Sequence, residues 1–333
     1  MKNSILMVNE STDPYFNLAL EEYLLTHYEK GTIIMLWQNE RTIVVGRHQN
    51  TLEEINRKYV EDHGIRVVRR MTGGGAVYHD LGNLNYSFIT DRSESGDEGM
   101  KQFAGYVIRA LAEIGVEAAF SGRNDILVQE KKVSGTAQHI HKNRILHHGC
   151  LLYASDIAQV AASLNVRAEK FQSKSVKSVR SRVGNITDFL EEAVPLDEFK
   201  KILIRTILQD DTYRTLTLTP EELAAVERLK TEKYESWSWN YGNPIPCSVH
   251  NVRKLRGGFL EICAEVVRGI IENCRIYGDY MALRPSKEIE EALIGCRFEY
   301  AQVMSVLKKY KLEEYFGSIS DKELAETILG VED

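Results

Sequence analysis

The chain contains no apolar run near the roughly 18 to 20 residues that a membrane-spanning helix needs, so a helical membrane protein is excluded. It also lacks an excess of positive charge. Its 42 Lys and Arg against 48 Asp and Glu leave a net charge of −6. Proteins that coat nucleic acid usually carry a basic balance across a whole domain, so no nucleic-acid partner is expected. A local basic patch can still hold one anionic ligand. Cysteine is sparse: Cys150, Cys247, Cys263, Cys274 and Cys296 are odd in number, scattered and without CxxC spacing. That argues against a disulfide framework or a zinc ribbon and for reduced thiols in a reducing, cytoplasmic setting. No internal repeat or low-complexity tract is present, and neither GxxxxGK[ST] nor GxGxxG occurs, which removes the two standard phosphate-binding fingerprints.

What is present is ample core material: 43% of the 333 residues are hydrophobic and 27% charged, enough for about two soluble domains. The opening SILMV reads as a first strand instead of a signal peptide. Asp13-Pro14 then opens a helix, with proline at its permitted first position. TIIMLWQ and TIVVG read as a hairpin across Asn39-Glu40-Arg41, and Thr51 with Glu54 as a capping box for one helix ending at Gly64. IRVVRRM is a strand that runs into glycines; DILVQEKKVSG and RILHHGCLLY are two later strands joined by a polar turn. Asn243-Pro244-Ile245-Pro246 is the strongest linker signal. It predicts a large domain over 1–246 and a small α+β domain over 247–333.

Four clusters suggest chemistry. In RRMTGGGAVYHD, the glycines allow close backbone approach and offer consecutive N–H donors, while Arg69 and Arg70 suit an anion. The bland alternative is a glycine-rich bend with solvated arginines. Lys131-Lys132-Val133-Ser134-Gly135 places cations beside small residues, as would an exposed polar hairpin. His139, His141, His147 and His148 tempt one towards zinc. Strand alternation, however, sends His147 and His148 to opposite faces, and no complete ligand set flanks them. The basic, serine-rich stretch Lys174 to Arg182 is either an anion-gripping lid or a solvated linker.

RRMTGGGAVYHDLGN, SGRNDI, KKVSGTAQ, HHGCLLY and KSVRSRVGNI occur in that order, and together they resemble the lipoate–protein ligases along essentially the whole chain. The resemblance implies an α+β fold of mixed β-sheets flanked by helices, related to the biotin ligases, with a small α+β C-terminal accessory domain. It implies activation of lipoate by ATP and Mg2+ to lipoyl-AMP, then transfer to a lysine of lipoyl-accepting protein domains. Carried over by motif, Arg70 would contact the nucleotide, and Gly75, Ala76, Val77 and Tyr78 would wall the adenylate. Lys132 would touch both the lipoate carboxyl and the α-phosphate. His79 and Asn83 would line the site, and Asp125 would hold magnesium. The chain departs from the family pattern at Cys150, where threonine is expected. An ATP-independent transferase using Cys150 as nucleophile therefore stays open, as does a non-catalytic lipoate-binding module.

Overall fold

The structure is a computed structural model and describes residues 4–92, 99–122, 124–165, 183–208, 213–242 and 245–331. The stretch Lys174 to Arg182, expected to be a lid, lies outside the described residues. Among those described, no helix is long and apolar enough to cross a membrane.

An eight-stranded mixed sheet dominates, in the order β11-β1-β2-β6-β10-β9-β8-β7. Its strands are β1 (Ser4–Val8), β2 (Thr32–Trp37), β6 (Asn83–Asp91), β7 (Ala119–Ser121), β8 (Asp125–Val128), β9 (Lys131–His141), β10 (Arg144–Leu152) and β11 (Tyr213–Leu216). Period-two alternation sorts their side chains. Ile34, Leu36, Tyr86 and Phe88 pack on one face against the helices Gly99–Glu113 and Leu196–Leu208. Ile33, Met35, Trp37 and Ile89 pack on the other against helix α1 (Pro14–His27). Asp13 caps α1 as expected, its carboxylate accepting from the Tyr15 N–H.

The expected hairpin across residues 39–41 does not form. β2 pairs with β1 and β6, whereas β3 (Thr42–Val45) joins a separate three-stranded sheet with β4 (Arg66–Arg69) and β5 (Val77–His79). The cause is buried polar chemistry at the connection. The Asn17 amide donates to the Gln38 carbonyl and to Asn39 Oδ1, and Glu40 N–H donates to the Thr12 carbonyl, so the chain is held away from a tight turn. The helix expected from Thr51 is two short ones, Thr51–Glu54 and Arg57–Asp62, broken at Ile55. Thr51 donates its hydroxyl to the Asn240 carbonyl, and Asn56 caps the second piece. DILVQEKKVSG likewise splits into β8 and β9, because Gln129 and Glu130 take left-handed φ values of 47° and 66°.

Beyond the linker, β12 (Val249–Leu255), β13 (Gly258–Val267) and β14 (Ile270–Gly278) form an antiparallel meander. Short helices cover it, and the core beneath draws only on residues between Val249 and Leu329. One thiol expectation fails there. Cys247 and Cys263 form a disulfide, their Cα atoms 5.4 Å apart, because the chain entering β12 passes beside β13. Cys150, Cys274 and Cys296 are free.

Candidate active site

Sheet register builds the floor of a cavity. Trp37 pairs with Asn85, Asn85 with Cys150, Cys150 with Gly135, and Gly135 with Asp125, which makes one continuous row. Alternation puts Met35, Ser87, His148 and Ala137 on the same face one step along. The three-stranded sheet and the triglycine loop close over this face and enclose a cavity of about 380 Å³.

Lys132 reaches the cavity through an irregularity. Strict alternation from Gly135 would send it to the opposite face. A register shift between Ile126 and Leu127 pairs Ile126 with Ser134 but Leu127 with Lys132, which re-aims the lysine. Its Nζ then lies 2.7 Å from Asp125 Oδ1. Gly135 makes room for it: a Cβ there would stand 3.0 Å from the Lys132 Cε and Nζ. The Gly184 N–H donates to the Lys132 carbonyl at 3.1 Å and pins the backbone.

The three glycines have different jobs. A Cβ on Gly73 would meet the Tyr280 carbonyl oxygen at 2.6 Å, so this glycine permits contact with the segment after β14. Gly74 takes φ +91° and donates its N–H to that same carbonyl at 3.3 Å. A Cβ on Gly75 would meet nothing within 4 Å, so the third glycine faces open space. Met281, from the same later segment, joins the cavity wall.

Arg70 works from behind the loop. Its guanidinium donates to the carbonyls of Val44, Gly73 and Gly75 and to the Thr72 hydroxyl. Burial lowers its pKa to about 10, which still leaves it charged at neutral pH. Arg69 is not a ligand group at all. It donates to the carbonyls of Gly46, Arg47, Gln49, Trp239 and Asn240, and to Thr51.

Gly75, Ala76, Val77, Tyr78, His79 and Lys132 all line the cavity, as does Arg70. Burial, then the charge of Arg70, pushes His79 down to about 3. The ring is therefore neutral. The Asn39 amide donates to its Nδ1, which leaves Nε2 carrying the proton, buried and without a partner. Asn83 and Asp125 stand one layer back: the Asn83 amide donates to Asn85 Oδ1, and Asp125 holds Lys132. Among the described residues no group of three or more His, Cys, Asp or Glu could hold a metal ion, and His147 turns away from His148 onto Phe103.

Asn85, Trp37 and His148 line the cavity, the first two never singled out and His148 weighed only as a zinc ligand, and Met281 lines it as well. The first three follow from alternation once the strands are paired. Met281 had no signal, since its place depends on how the last segments pack. Cys150 also lines the cavity, half-buried, and burial pushes its thiol up even though Lys132 pulls it down.

Residues 13–208 match the family described as the lipoyl protein ligase A/B catalytic domain, and residues 245–328 match the bacterial lipoate protein ligase C-terminus. Lipoate–protein ligase 1 of Staphylococcus aureus is 41% identical over 317 residues, covering 95% of this chain and 97% of its own. A lipoate–protein ligase of Bacillus subtilis is 41% identical over 320 residues, with 95% and 97% coverage. Among solved structures, a Plasmodium falciparum protein in complex with lipoate superposes with a TM-score of 0.80 at 25% identity, covering 98% of this chain and 100% of that one. A lipoate–protein ligase A bound with ATP gives 0.62 at 29% identity, covering 73% and 99%.

Proposed function

Because the chain belongs to the lipoate–protein ligase family, we propose that its cavity activates lipoate with ATP and then passes the lipoyl group to a lysine of a lipoyl-accepting protein domain. The observation that carries this reading is Lys132, a cation aimed by the β8–β9 irregularity into a cavity walled by Gly75 and Val77. In the first step a lipoate carboxylate oxygen bonds to the α-phosphorus of ATP, and the bond to pyrophosphate breaks. Both reactants are anionic, so an ammonium placed between them lowers the barrier electrostatically. In the second step the acceptor amine attacks the acyl carbon, the bond to AMP breaks, and the amine proton is released.

Asp125 is the residue proposed to meet magnesium, although its carboxylate stands behind the cavity wall and holds Lys132, so only its free oxygen could reach an ion. Magnesium keeps several waters and commonly takes one or two carboxylates together with substrate phosphates, so one protein carboxylate fits it. When bound, the ion would neutralise phosphate charge. The neutral His79 contributes a buried Nε2–H donor to the same wall. The division near residue 247 belongs to this reading and is supported by the separate core between Val249 and Leu329. A reducing cytoplasmic setting fits the three free thiols but sits less easily with the Cys247–Cys263 bond.

Cys150 lines the cavity and so favours the transferase reading in one respect. Its raised thiol pKa weighs against it, since the thiolate is the nucleophile. Incubating the protein with lipoate, ATP and magnesium, without acceptor, tests the proposal. Mass spectrometry should find lipoyl-AMP; an acyl-thioester formed without ATP would replace the ligase reading with the transferase.

A further inference from the structure

A line of buried polar groups runs from the cavity floor to the triglycine loop. Trp37 Nε1–H donates to Ser87 Oγ at 2.9 Å, and Ser87 donates to Glu21 Oε1 at 2.6 Å. His148 Nδ1 lies 2.9 and 3.1 Å from the two Glu21 oxygens. Its Nε2 lies 2.8 Å from the Thr72 hydroxyl, which in turn accepts from Arg70 Nε–H at 3.0 Å. Arg70 then holds the carbonyls of Gly73 and Gly75.

The two ends fix the direction of the outer bonds. Indole and guanidinium N–H groups only donate. Ser87 therefore gives its proton to Glu21, and the Thr72 oxygen accepts from Arg70. The Thr72 hydroxyl also meets His148 Nε2, while Nδ1 of the same ring faces the Glu21 carboxylate. Glu21 and Thr72 are both fully buried, so an interrupted chain could not turn to water for replacement partners.

We infer that Thr72 is a positioning residue for the nucleotide half of the reaction, held by the Glu21–His148 pair and acting through Arg70 on the triglycine loop. Thr72 is not among the residues that line the cavity and touches no reacting atom. Its hydroxyl is where the loop's organiser is tied to the sheet. Without it Arg70 loses the partner of its Nε–H, and the carbonyls of Gly73 and Gly75, and with them the loop backbone, lose their fixed setting. The inference rests on the reading of the cavity as an ATP and lipoate site.

The test is Thr72→Val, which keeps the shape and removes the hydroxyl, beside Thr72→Ser, which restores it. Michaelis constants for ATP and for lipoate are measured separately in pyrophosphate release, and ATP binding is measured by calorimetry without lipoate. Losing a hydrogen bond to a charged group predicts an ATP KM raised about tenfold in Thr72→Val, with the lipoate KM within about twofold. Thr72→Ser should return both to near wild type. If Thr72→Val does not fold, Glu21→Gln carries the test, with an ATP KM raised about threefold because a neutral acceptor replaces a charged one. Unchanged ATP KM in the variants that fold overturns the inference. So does an equal rise in both constants, or a fall in melting temperature and kcat alone, since a merely structural network gives those. Wild-type protein that binds no ATP would instead refute the ligase reading itself.

Discussion

Lys132 Nζ sits 2.7 Å from Asp125 Oδ1, on strands whose pairing slips by one residue between the two. The slip turns a lysine that alternation would bury against the other face into one half-exposed in the cavity. Lys132→Ala should lower adenylate formation by about 10²-fold or more, the usual loss when one preorganised electrostatic contact is removed. It opens no core void, so the melting temperature should hold. Lys132→Arg should fail largely as well, because a planar fork does not replace a compact ammonium between two anions. Comparable lipoyl-AMP yields from wild type and Lys132→Ala would sink the role.

Gly135→Ala tests the space that the lysine occupies. The new methyl would stand 3.0 Å from Cε and Nζ, close enough to displace the flexible end of the side chain. Stability should change little, while kcat should fall about tenfold, since a displacement near 1 Å in a reacting site is costly. Full activity in this variant would mean that Lys132 need not stand where the structure puts it.

Much of this site was legible in the sequence, for local reasons. The triglycine run, the Lys-Val-Ser-Gly stretch and His79 sit in contiguous motifs, and each reaches the cavity. Asn85 and His148 needed strand pairing, because alternation ranks faces only after the register is known. The β8–β9 slip had no local signature, and neither did the Asn17–Asn39 contact that replaces the expected hairpin. Both depend on partners distant along the chain. The same is true of Met281, which reaches the glycines only through the packing of the C-terminal segments.

Gly73→Ala and Gly75→Ala should fail in different ways. The first puts a methyl 2.6 Å from the Tyr280 carbonyl oxygen, so it should loosen the contact between the loop and the C-terminal segments. Small-angle scattering should show a larger radius of gyration or greater flexibility. The second meets no protein atom and should fold as wild type does, yet weaken ATP binding by crowding the side of the loop that faces open space. Identical scattering and identical ATP affinity for the two variants would refute this division of labour.

Cys150 faces the cavity with its thiol pushed up by burial, and Lys132 and Arg70 only partly oppose that shift. A raised pKa keeps the neutral thiol through neutral pH, and the thiolate appears only as pH climbs above the ordinary thiol range. Iodoacetamide reacts with thiolate, so the pH profile of Cys150 alkylation should lie to the alkaline side of a free thiol measured in parallel. The adenylate already supplies an activated acyl group, so a thioester step would add nothing to the reaction. Cys150→Thr should therefore keep both adenylation and transfer to an acceptor domain. Loss of transfer with adenylation intact, together with an acyl-thioester on the wild-type protein and an alkylation profile shifted to the acid side, would reassign this cysteine as the nucleophile.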